Sequence, residues 1–366
     1  MERQFVSAAS PNMGRAGAGG RPCQGVWYPP TGRPKAAVIA THYDIDFSEH
    51  YLAEYLAERD LGFLGWNTRY RGMGSYFSLD NALIDIGVGV TWLRENAGVS
   101  SIVLLGNSGG ASLMGAYQSQ ALEPNISPGP GMTLPDAVGA LEPTELFVSL
   151  NAHPGRPDVL TAWLDPAVTD ESDPLSVDPS LDMFDPAHPP PFSDDFVARY
   201  RAAQVERNHR ITAWAQAELE RLTSQGAWDR TFGLYRAWAD LRFVDLNLDP
   251  SDRAVGCYFG DPRFANYGPF NLGGTNTLRA WLSMWSLSES QCRAEAHLAR
   301  ITQPALVVQA TEDQGCYPSD ARAIHAALAS EDKSLEWTKG DHYLLSRDGL
   351  RAEVADLIAD WVKARV

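Results

Sequence analysis

In the stretch Gly106-Asn107-Ser108-Gly109-Gly110 a lone serine stands two residues from a glycine on either side. Gly-x-Ser-x-Gly is the spacing that lets a serine occupy a sharp turn between an incoming strand and a departing helix, with its hydroxyl clear of the backbone. The amide N–H of Gly109, at the start of that helix, would point at an oxyanion forming on a carbonyl that Ser108 attacks. The spacing recurs by chance in unrelated chains, so its weight comes from its setting. Aliphatic residues fill 102–105 ahead of it, and 111–120 reads as a helix behind it. A serine hydroxyl is a weak nucleophile near neutral pH, so it needs a base, and the base needs a carboxylate to fix its tautomer. Of the histidines, only His342 falls in a loop between a late strand and the last helix. Only Asp313 puts a carboxylate in the loop directly after a hydrophobic strand in the last third of the chain. Glu312 and Asp341 adjoin these two and are the competing carboxylates.

Such residues act together only if a scaffold carries their loops to one edge. Ala36–Ala40 and Ala305–Ala310 are continuous apolar runs suited to central parallel strands, and 25–28, 63–66, Leu146–Leu150 and 335–337 are further strands. Between them lie helical patterns. One starts near Ser48 with Leu52, Tyr55 and Leu56 on one face, and a second carries Leu79, Leu83, Ile86, Val90 and Leu93 as far as Gly98. Others cover 319–329 and the C-terminus, where Val354, Leu357, Ile358, Trp361 and Val362 recur. Strands alternating with helices across short connections predict an α/β fold, a doubly wound and mostly parallel sheet. In such sheets ligands meet the loops at the carboxyl ends of the strands. The loops Thr41-His42-Tyr43-Asp44-Ile45-Asp46 and Arg69-Tyr70-Arg71-Gly72-Met73-Gly74-Ser75 occupy that position, as does His153 after the strand ending at Leu150.

The alternation fails from 154 to 298, which predicts three parts: a loose leader (1–21), a core (22–153 and 299–366) and an inserted cap (154–298). The leader is rich in small residues that bury too little apolar surface to offset ordering entropy. The insert holds six of the eleven tryptophans, enough to line an apolar chamber or to form a second core. Trp163, Trp238, Trp281 and Trp285 are the candidates to touch a substrate there, with His153 and Tyr343 at its rim. A net charge of −16 and the lack of any basic stretch argue against nucleic acid or anionic membrane as partner. No run approaches a membrane span and no signal-peptide core precedes the first strand, which points to a cytoplasmic protein. Cys23, Cys257, Cys292 and Cys316 are too scattered for a zinc site or a disulfide framework. His42, Asp44 and Asp46 have no further strong ligand spaced to make them a metal site. No cofactor is expected, and the partner is a small molecule; a homo-oligomer stays open.

With the order Ser108, Asp313, His342, and with RYRGMGS after the fourth strand, ATEDQG after the penultimate strand and GDHY before the last helix, the chain resembles the α/β-hydrolase superfamily over 1–153 and 299–366. The resemblance implies the α/β-hydrolase fold with a large, mainly helical cap inserted after the sixth strand. It also implies a serine hydrolase, foremost a carboxylesterase or lactonase acting on a bulky apolar or aromatic substrate through an acyl-enzyme. Amide, thioester and carbon–carbon bond hydrolysis and acyl transfer use the same three residues, and a non-catalytic receptor is the contrasting class. The chain departs from the pattern at the oxyanion loop. Many members have His-Gly there, whereas His42-Tyr43-Asp44 is similar to the Tyr-Asp of the cocaine-esterase-like group, whose tyrosine hydroxyl donates to the oxyanion. Besides Gly109, the donor is then the Tyr43 phenol or the backbone N–H of Tyr43 or Asp44.

Overall fold

The apolar runs assemble into one eight-stranded sheet in the computed structural model, which describes residues 2–12, 23–32 and 34–366. The first half of the chain gives β1 (Gln4–Ala8), β2 (Cys23–Tyr28), β3 (Ala36–Ala40), α1 (Ala53–Ala57), β4 (Gly62–Asn67), α2 (Leu79–Trp92), β5 (Ser101–Asn107), α3 (Gly110–Leu122) and β6 (Leu146–Leu150). The insert follows with α4 (Arg156–Trp163), the long α5 (Asp194–Ser224), β7 (Thr231–Gly233), α6 (Pro262–Asn266), β8 (Thr275–Thr277), α7 (Leu278–Ala280) and α8 (Ala294–Leu298). Then β9 (Ala305–Ala310), α9 (Pro318–Ala327), β10 (Lys333–Thr338) and α10 (Leu350–Lys363) close the chain. The sheet order is β1-β2-β4-β3-β5-β6-β9-β10. Pairing is antiparallel at β1–β2 and β2–β4 and parallel from β4 to β10.

Because β4 lies on one side of β3 and β5 on the other, the chain reverses its direction of travel across the sheet there, and a crevice opens outside their carboxyl ends. Both faces are covered. Ile39, Leu64, Leu104, Phe147 and Val307 join side chains of α2 and α3 on one face, whereas Val38, Phe63, Val103, Leu105, Val148 and Val308 join those of α1 and α10 on the other. Burial on both faces is why these strands read as unbroken apolar runs rather than as alternating ones. Truncating one such side chain, as in Leu104→Ala, would cost about 2–5 kcal/mol through the cavity left behind.

Two expectations change. Part of the leader is a strand: Gln4–Ala8 pairs with Cys23–Tyr28, burying Val6 against the sheet while Phe5 faces outward. One alternating apolar pair sufficed to add an edge strand, and the small-residue composition concealed it; residue 1 and residues 13–22 lie outside the described residues. The helix read from Ser48 starts only at Ala53, because the His50 ring accepts the Leu52 N–H at 3.2 Å and holds the preceding residues in turns. The insert leaves and rejoins the sheet domain through a narrow neck. Gly155 bridges to Arg293, and the Ala294 N–H donates to the Pro154 carbonyl at 2.6 Å. All four cysteines are buried and free, and among the described residues no helix is long and apolar enough to cross a membrane.

Candidate active site

Ser108 follows β5 directly and has φ of 56°, a left-handed conformation that a residue with a side chain adopts only at a cost of about 1–3 kcal/mol, met by its surroundings. Those surroundings are visible. The Ser108 N–H donates to the Leu150 carbonyl at 3.0 Å, tying the turn to β6, and the Ser108 carbonyl accepts from Ala111 at 3.3 Å as α3 begins. Gly106 and Gly110 are glycines because the backbone passes too close for anything else. A β-carbon at Gly106 would lie 2.3 Å from the Ala111 Cα, and one at Gly110 would lie 2.4 Å from the Thr41 carbonyl oxygen.

Asp313 follows β9, and His342 lies between β10 and α10, so both loops leave the sheet on the edge that carries Ser108. His342 Nδ1 is 2.6 Å from Asp313 Oδ2. The other carboxylate oxygen, Oδ1, accepts from the amides of Gly315 and Cys316 at 2.9 and 3.0 Å and from the Tyr258 hydroxyl at 2.8 Å. Three donors on Oδ1 leave Oδ2 to receive Nδ1–H, which makes Nε2 of His342 the acceptor needed by a serine proton. The backbone of His342 is also held, its carbonyl accepting from Asn151 Nδ2 at 3.0 Å. The neighbouring carboxylates are spent elsewhere. Glu312 faces Lys339 at 3.9 Å, and Asp341 accepts the Ser346 N–H at 3.0 Å within its own turn.

In the oxyanion loop the Tyr43 phenol has a partner of its own. Tyr43 is wholly buried, and its hydroxyl is 2.9 Å from Ser112 Oγ, which itself donates to the Gly109 carbonyl at 3.1 Å. With Ser112 donating to the Gly109 carbonyl, the phenol is placed to donate to Ser112, which directs its hydroxyl away from an oxyanion. The chain of bonds instead braces Gly109 from below. Among the described residues no acceptor faces the amide N–H of Gly109 or that of Tyr43. Asp44 turns toward the insert and lies 3.2 Å from Arg156 Nη2. Although burial raises its pKa, the His42 bond and the Arg156 charge bring its carboxyl below the ordinary value. Burial first, then the Arg156 charge, pushes the His42 imidazole down to about 4. The same causes, with His42 and His342 added, hold His153 well below the ordinary range. Asp46 is turned away, bonded to Ser48, Asn67 and Arg71.

The insert contributes unequally. Trp163 lies in an aromatic cluster with Trp238 (ring centroids 4.6 Å apart) and Phe243, and 6.1 Å from the ring of Tyr258. Tyr258 in turn lies 4.7 Å from the His342 ring, and Tyr343 is 5.0 Å from it. Trp285 sits under the Arg156 guanidinium at 5.1 Å. Trp281 lies away from these site residues, with its indole N–H bonded to Thr212 at 3.0 Å inside the insert; all four of these tryptophans are buried. Sequence reasoning passed over Tyr258, Arg156 and the bracing role of Asn151. Tyr258 and Arg156 come from the region without periodicity, where no spacing marks which side chains turn toward the sheet. A cleft of about 1530 Å³ runs between the loop after β4, residues 126–132 and the insert, with Met73, Phe77, Arg279 and Leu282 in its walls. It ends near Tyr43, whose ring is 5.1 Å from that of Phe77, and neither Ser108 nor His342 lines it. Its walls hold a serine bonded to a carboxylate, Ser78 to Asp80, but among the described residues no histidine to serve as base at neutral pH, so size does not make it the reaction site.

No protein-family model matches the chain, and no curated protein does. Solved structures do. Alpha/beta hydrolase GrgF from Penicillium sp. sh18 superposes with a TM-score of 0.53 at 12% identity, over 99% of this chain and 97% of that one. DcsB, solved in complex with its substrate analogue, gives 0.52 at 11% identity over 100% and 99%. Together with the sheet order and the placement of Ser108, this shows that the chain has the α/β-hydrolase fold.

Proposed function

We propose that this chain is a serine hydrolase that cleaves a carboxylic ester through an acyl-enzyme on Ser108. The observation that carries the reading is the convergence, on one sheet edge, of a serine held at positive φ with an imidazole whose Nδ1 is fixed by a buried carboxylate at 2.6 Å. Fold alone hosts many chemistries, so the reading rests on this site and not on the neighbours. Ser108 Oγ bonds to the acyl carbon while its proton passes to His342 Nε2, and the carbonyl electron pair moves onto oxygen. When the tetrahedral species collapses, the ester C–O bond breaks and the leaving alkoxide takes the proton back from His342. Water then repeats the sequence on the acyl-enzyme and releases the acid. Asp313 stays ionised throughout and steadies the imidazolium.

The substrate class is inferred from the exposed rings near the triad: Tyr343 beside His342, and Phe259 and Phe270 stacked on the outer side of a buried aromatic cluster. Tyr258 joins His342 to the cluster of Trp163, Trp238 and Phe243, and apolar surface buried against such rings contributes about 25 cal/mol per Å². Bulky aliphatic or aryl esters should therefore be turned over with higher kcat/KM than acetates. A panel of aryl esters of increasing acyl length, run beside Ser108→Ala, tests both parts. Ester hydrolysis that survives in Ser108→Ala would refute the mechanism, and a preference for acetate would refute the substrate class.

A further inference from the structure

The insert sends a charge to the serine turn for which the acyl-transfer reading has so far no task. Arg156 opens α4 at the neck, its own N–H bonded to the Cys292 carbonyl at 3.3 Å. Its side chain is 6% exposed, and the guanidinium lies 4.8 Å over the ring of Tyr43. Nη2 is engaged, 3.2 Å from His42 Nδ1 and 3.2 Å from Asp44 Oδ1. Nε is buried and has no acceptor. A buried donor left unmatched costs about 1–3 kcal/mol or more when charged, so such a group asks for an explanation, and a reacting oxygen is one that a static structure does not contain.

The position of Nε indicates which oxygen. A β-carbon at Gly109 would lie 3.1 Å from Arg156 Nε and 3.0 Å from His42 Nε2, so the space left by the missing side chain is bounded by these two nitrogens. His42 Nδ1 has the Arg156 donor at 3.2 Å and Asp44 Oδ1 farther off at 3.7 Å; with the nearer partner a donor, we assign Nδ1 as the acceptor and the imidazole proton to Nε2. Two N–H groups thus flank the residue whose amide is the first oxyanion donor. A substrate carboxylate is a poorer match, because both edges on which a guanidinium holds a carboxylate in two parallel bonds include Nη2, which is already committed.

We propose that Arg156 Nε–H, with His42 Nε2–H beside it, donates to the oxyanion formed as Ser108 adds to the acyl carbonyl. The proposal rests on the acyl-transfer reading. The guanidinium keeps its proton; it only donates a hydrogen bond while the carbonyl pair resides on oxygen, and releases it when the C–O bond of the leaving group breaks. Asp44 balances the charge between turnovers.

The test uses the full chain with two 4-nitrophenyl esters, the neutral butyrate and the anionic succinate half-ester, and phenylboronic acid as an inhibitor that adds to the serine as a tetrahedral anion. Arg156→Gln should lower kcat about a hundredfold on both esters, with KM nearly unchanged, and weaken boronate inhibition by a similar factor. Arg156→Lys should recover little, since an ammonium places no donor at the Nε position. An unchanged kcat, or a loss confined to KM for the succinate ester, overturns the proposal; the second result would make Arg156 an anchor for substrate carboxylates. Should the Arg156 variants not fold, Gly109→Ala decides, because its methyl group enters the same space while the Gly109 amide remains. It should lower kcat about tenfold or more, and full activity in it overturns the proposal. Labelling of wild-type Ser108 by a fluorophosphonate separates the two failures: an unlabelled wild type defeats the hydrolase reading, whereas a labelled one with unimpaired Arg156→Gln defeats this inference alone.

Discussion

The sheet domain and its insert are held together by different forces. In the sheet domain, strand residues such as Val103, Leu104 and Val148 are completely buried among aliphatic neighbours. In the insert, buried arginines organise the backbone. Arg236 pairs with Asp165 at 2.6 Å, both fully enclosed, and Arg207 donates to the carbonyls of Asp165, Tyr235 and Arg236 while pairing with Glu171. Asp165 also accepts from Asn266 and from the Ala167 N–H. The first arrangement tolerates any aliphatic residue of the right volume, whereas the second depends on individual donors and acceptors. In the proposed mechanism chemistry is divided along the same line: the sheet domain supplies nucleophile, base and acid, and the insert supplies Tyr258, which bonds Asp313, and Arg156, which lies beside Gly109 and His42.

The largest effect should come from the sheet domain. His342→Ala should lower kcat by about a thousandfold or more, whereas Glu312→Gln, one residue from the triad carboxylate, should keep most of the activity. Steady-state assays on one ester compare them, and a dead Glu312→Gln would move the acid by one position. The next effect concerns the insert. Asp165→Ala strips Arg236 of its buried partner and should lower the unfolding free energy by about 3–5 kcal/mol, read from the urea midpoint. A midpoint equal to that of the wild type would mean that apolar contacts hold the insert after all.

Smaller effects sharpen the boundary between the regions. Tyr258→Phe removes the hydroxyl that bonds Asp313 Oδ1 and lies 3.0 Å from His342 Nδ1. Hydrogen bonds to charged groups contribute about 1.5–3 kcal/mol, so kcat should fall about tenfold or somewhat more, with KM steady. A change in KM alone would make Tyr258 a wall of the pocket rather than a positioning residue. Tyr43→Phe should be the mildest. Its phenol donates to Ser112, so kcat should stay near the wild-type value while stability falls by about 1 kcal/mol. A hundredfold loss of kcat would return the phenol to the oxyanion.

The same division explains what could be read from residues alone. Strands buried on both faces announce themselves as apolar runs, and the serine turn announces itself through glycines that the backbone requires, so the sheet, the turn at Ser108 and the pairing of Asp313 with His342 were legible. β1 was not, because Phe5 and Val6 alone supply its pattern. Tyr258 was not, because it reaches the triad from irregular backbone that leaves no period in the sequence, and Arg156 was not, because the short helix it opens shows no apolar periodicity to mark which way its first residue turns. The tryptophans showed the difficulty directly: Trp163 and Trp285 lie beside site residues, whereas Trp281 serves packing, and nothing in their spacing separates them.

The central claim is that His342, fixed by Asp313, activates Ser108. Intact mass and peptide mapping after treatment with a fluorophosphonate measure it most directly. The account predicts one adduct per chain, located on Ser108, lost in Ser108→Ala and formed far more slowly in His342→Ala. An unlabelled wild type, or a label on another serine, would contradict it.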